Sequence, residues 1–184
     1  DLLGKSIWFA FNAYDEEPYL KEFILKAIEV LEKHPVNLRR KLNNLPPANA
    51  IWPWGQGRAP EITPFYEKWE LKGAVISAVD LIKGLGVLIK MTVIEVPGAT
   101  GYLDTNYEGK VEYALESLKE HDLVVIHVEA PDEVSHEGSL ELKIKAINEF
   151  DRRVVRYLLE RINEVAEKYR ILICCDHLTP ISIR

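Results

Sequence analysis

The feature that most restricts the fold is a regular alternation of apolar runs and amphipathic segments in the second half of the chain. The apolar runs, each suited to a buried strand, are residues 73–78, 92–96, 123–128 and 171–175. The intervening segments with helical periodicity are residues 80–89, 108–120 and 140–168. Parallel strands are usually joined by crossover helices. The alternation therefore predicts an α/β fold with a mostly parallel sheet and helices on both faces.

The first sixty or so residues follow this alternation less closely. Residues 6–11 and 50–54 have the composition of short strands, and residues 19–31 carry apolar side chains at the helical period. We expect the basic run 37–41 and residues 43–47 to form loops. This part of the chain is predicted to belong to another domain or to form an inserted cap.

Composition excludes several classes of protein. The formal net charge is −6 and, apart from the short basic run 37–41, no cluster of Lys and Arg is visible, which argues against nucleic-acid binding. No apolar run approaches the roughly 20 residues of a membrane helix, and no signal segment opens the chain, so we expect a cytoplasmic protein with no membrane partner. The chain begins at Asp1 and ends at Arg184, and we expect it to be an excerpt of a longer protein.

Acidic and imidazole side chains follow the apolar run 123–128. Parallel sheets bind ligands at the carboxyl ends of their strands, which is where Glu129 to Gly138 is expected to lie. Asp132 and His136 are four residues apart, and on a helical turn they would share one face and could share a cation. His127, inside the strand, is interpreted as a core histidine rather than a ligand.

A second doublet has the same composition. Residues 171–175 are predicted to form a buried strand, with Cys174 and Cys175 as small core residues, and the run ends directly in Asp176 and His177. Two strands ending in Asp and His could meet as two halves of one metal site. The alternative is that the aspartates cap local turns and the histidines fill positions at the rim of the sheet.

Mixed oxygen and nitrogen ligands favour divalent ions such as Mn, Co, Zn or Mg. Two such cations can hold the attacking and leaving oxygens of a phosphoryl group, so the pattern points to phosphoryl chemistry. Four ligands are too few for two cations, and Ser77, Ser135 and Ser139 lack the context of a nucleophile. The catalytic nucleophile is therefore not identified within the chain.

Two further cations are candidates for binding an anionic substrate. Arg58 follows Gly55 and Gly57, whose backbone can approach a ligand closely, and its guanidinium can pair with a phosphate or carboxylate. Lys83 lies near the start of a predicted helix, where it could reach an anion. The alternatives are a tight turn with one surface Arg and an ordinary surface Lys.

Several stretches together resemble the archaeal-type cofactor-independent phosphoglycerate mutases of the alkaline phosphatase superfamily. They are LEKHPVN (31–37), PPANAIWPWGQGRAPE (46–61), GAVISAVDLIKGLG (73–86), VPGATGYLDTNYEGK (96–110), HVEAPDEVSHEGSLELKIKAINEFDRRVV (127–155) and DHLTPISIR (176–184). The resemblance implies an alkaline-phosphatase-like core with a smaller α/β domain inserted into it. Residues 1–62 would then be the C-terminal part of the inserted, substrate-orienting domain with its hinge, and residues 63–184 the metal-binding core, incomplete at both ends.

The resemblance also implies an activity. Such enzymes use two divalent cations to interconvert 3-phosphoglycerate and 2-phosphoglycerate through a phosphoserine. By the motif match, Asp132 and His136 would bind one metal, Asp176 and His177 the other, and Arg58 and Lys83 would contact the substrate. The family's nucleophilic Ser and remaining ligands fall outside the chain, so we expect it to be inactive alone. A phosphohydrolase or other phosphotransferase of the superfamily, or a non-catalytic metal-binding scaffold, remain alternatives.

Overall fold

A computed structural model describes Ser6, residues 11–53, Gly55 and residues 57–182. The chain divides into two units, Asp1–Pro60 (unit 1) and Glu61–Arg184 (unit 2). The assignment of residues 1–62 to an inserted domain and of residues 63–184 to a phosphatase-like core stays a prediction. In the part of the chain that the structure covers, no helix has both the length and the apolar character needed to cross a bilayer.

Among its described residues, unit 1 contains a 3₁₀ helix and two α-helices. Their bounds are Phe11–Tyr14 for the 3₁₀ helix, Pro18–Lys33 for α1 and Pro35–Leu42 for α2. Phe11, Tyr14 and Ile24 form a small buried cluster. The strand predicted at 50–54 is wrong over residues 50–53, which have no regular structure, while residues 7–10 of the other predicted strand and Trp54 lie outside the described residues.

The basic run 37–41 is helical, not a loop. Pro35 opens α2 at a position where its fixed φ favours a helix, and the ring Nδ1 of His34 accepts a hydrogen bond from Val36 N–H at 3.3 Å. Buried Asn37 donates to the carbonyls of Leu31 and Ala48, each at 2.8 Å. These local and tertiary contacts outweigh the solvation of the basic side chains, which remain on the outer side of the helix.

Between residues 73 and 164, unit 2 alternates strands and helices as predicted, and a helix that was not predicted precedes them. Its elements are α3 (Phe65–Trp69), β1 (Gly73–Ile76), α4 (Asp80–Leu88), β2 (Thr92–Ile94), α5 (Tyr107–Ser117), β3 (Leu123–Ile126), α6 (Ala130–His136) and α7 (Leu140–Phe150). The predicted last helix continues as a π-helix (Asp151–Arg156), α8 (Tyr157–Arg161) and a 3₁₀ turn (Ile162–Glu164). Its helical character thus ends four residues before the predicted end at 168.

The three strands form one parallel sheet in the order β2-β1-β3. On one face, Ile76 packs with Ala114 of α5. On the other, Gly86 of α4 lies directly over Val75 and Val93. Neighbouring residues of a strand point to opposite faces, so helices cover both faces and the predicted α/β class is confirmed.

Residues 171–175 are not a strand, which corrects the prediction of a fourth one. They have no regular structure, both cysteines are exposed, and 86% of Leu172 is accessible to solvent. An apolar run becomes a strand only where a neighbouring strand satisfies its backbone N–H and C=O groups. Within the described residues this run has no strand partner, and the sequence alone could not reveal that.

A lysine is buried in the core of unit 2. Lys110, on α5, is completely inaccessible, and its ammonium donates to the carbonyl of His127 at 3.0 Å, just beyond the carboxyl end of β3. Burial, which penalises the charged form, lowers its pKa from 10.5 to about 8, and the carboxylate of Glu129 opposes that shift. The amine of Lys110 is therefore buried between the sheet and α5, and its pKa of about 8 lies close to neutral pH.

Gly86 and Gly84 provide a matched pair of tests in α4. A Cβ at Gly86 would lie 2.6 Å from Val75 Cγ1 and 3.2 Å from Val93 Cγ2, whereas a Cβ at Gly84 meets nothing within 4 Å. We expect Gly86→Ala to lower the free energy of unfolding by about 1–3 kcal/mol, because α4 must move off the sheet. Gly84→Ala should raise it by up to about 1 kcal/mol through helix propensity. Urea denaturation measures both, and equal effects would contradict the packing described here.

Lys110→Met tests the buried amine. Below pH 8 Lys110 is protonated in both the folded and the unfolded state, whereas between pH 8 and 10.5 only the unfolded state holds the proton. Stability rises with pH wherever the unfolded state binds more protons. The unfolding free energy of the wild type minus that of Lys110→Met should therefore increase by about 2–3 kcal/mol across this window. Urea denaturation from pH 7 to 10.5 measures the difference, and a constant value would show that the pKa is not depressed.

Candidate metal centre

Helix α6 presents the first Asp-His doublet. Its buried residues Ala130 and Val134 pack against Ala146 of α7, which turns Asp132 and His136 away from that contact. The Nε2 atom of His136 lies 3.3 Å from Oδ2 of Asp132. The predicted helical turn, with both side chains on one face, is thus confirmed.

The second doublet reaches the same carboxylate. His177 Nδ1 lies 3.9 Å from Asp132 Oδ1, and the Thr179 hydroxyl donates a hydrogen bond to that oxygen. Lys143 of α7 holds this segment in place by donating to the carbonyl of Thr179 at 2.7 Å. The two doublets therefore converge, although side-chain contacts rather than a strand position the second one.

Thr179 fixes the orientation of the His177 ring. Its single hydroxyl proton goes to Asp132, so its Oγ1 can only accept from His177 Nδ1, which is 3.2 Å away. The hydrogen-bond network thereby assigns the proton to Nδ1 and leaves the lone pair on Nε2. That nitrogen lies 3.6 Å from Asp176 Oδ2, so two lone-pair donors face each other across a short gap.

This donor set fits a divalent cation in its chemistry. Metal-binding histidines usually donate their second ring N–H to a neighbouring acceptor, as His177 does to Thr179. Within the described ranges, however, no three His, Cys, Asp or Glu side chains are arranged to enclose a cation. The doublets supply partial ligand sets around Asp132, whose side chain is 29% exposed against 58–67% for His136, Asp176 and His177.

A second polar group lies at the carboxyl edge of the sheet. The Oγ of Ser77, which follows β1, is 3.1 Å from Nδ1 of His127, which follows β3. Burial, the largest effect, and the Lys110 ammonium lower the pKa of His127, whereas the carboxylates of Asp176 and Asp132 raise it. The Ser77–His127 pair escaped sequence reasoning, because only the strand register that pairs Ile76 with Ile126 places the two residues side by side.

Glu129 lies between the end of β3 and the start of α6. Its carbonyl accepts from Asp132 N–H at 2.8 Å, and burial together with the charges of Glu133 and Asp132 raises the pKa of its carboxyl group. The loop after β2 packs closely on it, since a Cβ at Gly101 would lie 2.8 Å from Glu129 Oε2. Glu129 therefore lies in the wall of the site rather than in solvent.

The two predicted substrate-binding cations occupy different units. Lys83, on α4, forms an ion pair with Glu95 beyond the carboxyl end of β2, with 2.8 Å between Nζ and Oε2. Arg58 is an exposed residue of unit 1 outside regular structure. Their contacts with a substrate stay predictions.

Known proteins resemble this chain over its full length. A 2,3-bisphosphoglycerate-independent phosphoglycerate mutase from Methanosarcina barkeri is 54% identical over all 184 residues, and one from Methanothrix thermoacetophila is 52% identical. These matches cover 46% and 47% of the relatives. The chain thus spans about half the length of the curated relatives it matches.

Two solved structures also resemble this chain. A protein from Pyrococcus horikoshii superposes on 79% of this chain and 38% of its own, with a TM-score of 0.70 and 38% identity. A cofactor-independent phosphoglycerate mutase from Thermoplasma acidophilum covers 80% of this chain and 37% of its own, with a TM-score of 0.51 and 28% identity. The family model of the Metalloenzyme superfamily matches residues 22–184, which include both doublets, and the chain belongs to that superfamily.

Proposed function

We propose that the protein containing this chain is a metal-dependent phosphoglycerate mutase of the cytoplasm, which interconverts 3-phosphoglycerate and 2-phosphoglycerate through a phosphoserine. The observation that carries the proposal is that His136 and His177 both lie beside the carboxylate of Asp132. Relatives with this printed activity are 52–54% identical across the chain. The proposal concerns the whole gene product, because the chain corresponds to only part of those relatives.

In this proposal each doublet contributes to one of two divalent cations, Mn, Co, Zn or Mg. Asp132 and His136 hold the first, and Asp176 with the Nε2 lone pair of His177 holds the second. When bound, the cations neutralise the transferring phosphoryl group and lower the pKa of the attacking hydroxyl. Thr179 keeps the His177 ring in the orientation that aims Nε2 at Asp176.

Arg58 and Lys83 are proposed to bind the substrate. The planar guanidinium of Arg58 can donate two parallel hydrogen bonds to a carboxylate or phosphate. The ion pair with Glu95 holds the Lys83 ammonium beyond the end of β2, and a substrate anion would compete with Glu95 for it. The proposed substrate, a small phosphorylated acid, carries both a carboxylate and a phosphate.

Asp132→Ala, compared with Glu133→Gln, tests the function. Asp132 contacts both histidines, whereas Glu133 is an exposed carboxylate on the same helix. Loss of a residue that hydrogen-bonds to a metal ligand typically lowers metal affinity or activity about 10–100-fold. Asp132 is proposed to be a ligand itself, so its loss should lower both Mn²⁺ affinity and mutase rate by more than about 100-fold. Glu133→Gln should retain both. Calorimetry with Mn²⁺ and a coupled assay of 2-phosphoglycerate measure the effects in the whole gene product.

The assay also separates the mutase from a phosphohydrolase. A mutase forms the isomer without releasing phosphate, whereas a hydrolase of the same superfamily releases phosphate from the same substrate. Release of free phosphate in proportion to the substrate consumed would show that the protein is a hydrolase and not a mutase. Mutase activity and Mn²⁺ affinity that survive Asp132→Ala would refute the assignment of this centre.

A further inference from the structure

The histidine at the carboxyl end of β3 is fixed at three of its atoms. Its backbone N–H donates to the carbonyl of Ile76 at 2.8 Å, its carbonyl accepts from buried Lys110 at 3.0 Å, and its ring Nδ1 is 3.1 Å from Ser77 Oγ. In the part of the chain that the structure describes, no side chain is hydrogen-bonded to Nε2. The half-buried ring of His127 is thus held rigidly, with one nitrogen left over.

Ser77 determines which nitrogen carries the proton. Its hydroxyl oxygen accepts from Val79 N–H at 3.0 Å, and its own proton needs an acceptor because the side chain is buried. Among the described residues that acceptor is Nδ1 of His127. A buried hydroxyl proton without an acceptor would destabilise the fold. His127 therefore carries its proton on Nε2 and has no lone pair to offer at that atom. This is the opposite of His177, whose Nε2 lone pair is free for a cation.

We propose that His127, at the carboxyl edge of the sheet, is a further residue of the active site, and that its Nε2–H donates to an oxygen of the phosphoryl group handled at the metal centre. The identity of this ligand rests on the proposed function, whereas the orientation of the ring does not. The proposed ligands are small phosphate anions. A single fixed N–H donor next to the metal-binding residues can hydrogen-bond to a phosphate oxygen that is not bound to a cation.

Electrostatics agree with this role. Both metal doublets act on the ring, since the carboxylates of Asp176 and Asp132 raise its pKa. Burial and the Lys110 ammonium act in the opposite direction, and burial is the largest of these effects. The ring thus lies within the field of both doublets, and its lowered pKa favours the neutral form, in which Nε2 is a donor without a fixed charge.

The ring orientation can be measured without any assay of function. In ¹⁵N-histidine spectra of the whole gene product, the His127 signals, identified by their loss in His127→Gln, should show a protonated Nε2 and an unprotonated Nδ1. Ser77→Ala removes the proton donor to Nδ1 and should abolish this single tautomer. A wild-type ring protonated on Nδ1 would overturn the proposal.

Binding of inorganic phosphate at saturating Mn²⁺ tests the ligand. The amide nitrogen of His127→Gln can occupy the place of Nε2, whereas that of His127→Asn reaches only the place of Nδ1. We expect His127→Asn to weaken phosphate binding about tenfold, as loss of a hydrogen bond to a charged group does, while His127→Gln stays within about threefold. Mn²⁺ affinity should not change in either variant.

Two results would reject the role of His127. Equal phosphate affinity in the wild type and His127→Asn would show that the ring only packs at the edge of the sheet. Loss of Mn²⁺ affinity in His127→Asn would make the ring a metal ligand instead. If His127→Asn does not fold, His127→Phe and the wild-type spectra decide the question. Absence of mutase activity would refute the proposed function and leave these binding results unaffected.

Discussion

The Asp132 carboxylate is the contact on which the candidate site depends. One of its oxygens lies beside His136 on its own helix, and the other accepts from Thr179 and lies near His177, distant in sequence. An aspartate with two imidazoles and a hydroxyl around it is poorly explained as a turn cap, because a cap needs only a backbone N–H. Its partners instead agree with the proposal that this carboxylate belongs to a metal site.

The parallel sheet supplies the second constraint. Parallel strands in register end at one edge, and here that edge carries Ser77, His127 and the segment that leads to α6. Lys110 fixes the carbonyl of His127 from the helix side, at the cost of burying an amine. Buried polar groups of this kind can orient neighbouring groups, and a site whose groups are already oriented needs little rearrangement on binding.

Sequence reasoning succeeded where the physics is local and failed where it is not. The spacing of Asp132 and His136 fixed their shared helical face, because residues four apart on a helix are neighbours. The run 171–175 was misassigned, because apolar composition does not show whether a partner strand is present. The basic run 37–41 was misassigned as well, since the contacts of Asn37 with Leu31 and Ala48 outweigh the preference of charged side chains for a loop.

By itself, the sequence determined the α/β class, the alternation of strands and helices from residue 73 to the last helix, and the two Asp-His doublets, all of which follow from periodicity and spacing within short segments. Only the tertiary structure decided that the doublets meet at Asp132, that Thr179 orients His177, and that Ser77 orients His127. These pairs join residues far apart in the chain, and their distances depend on strand register and on the path of the segment after the last helix. No local preference encodes such distances, because they result from how whole elements pack.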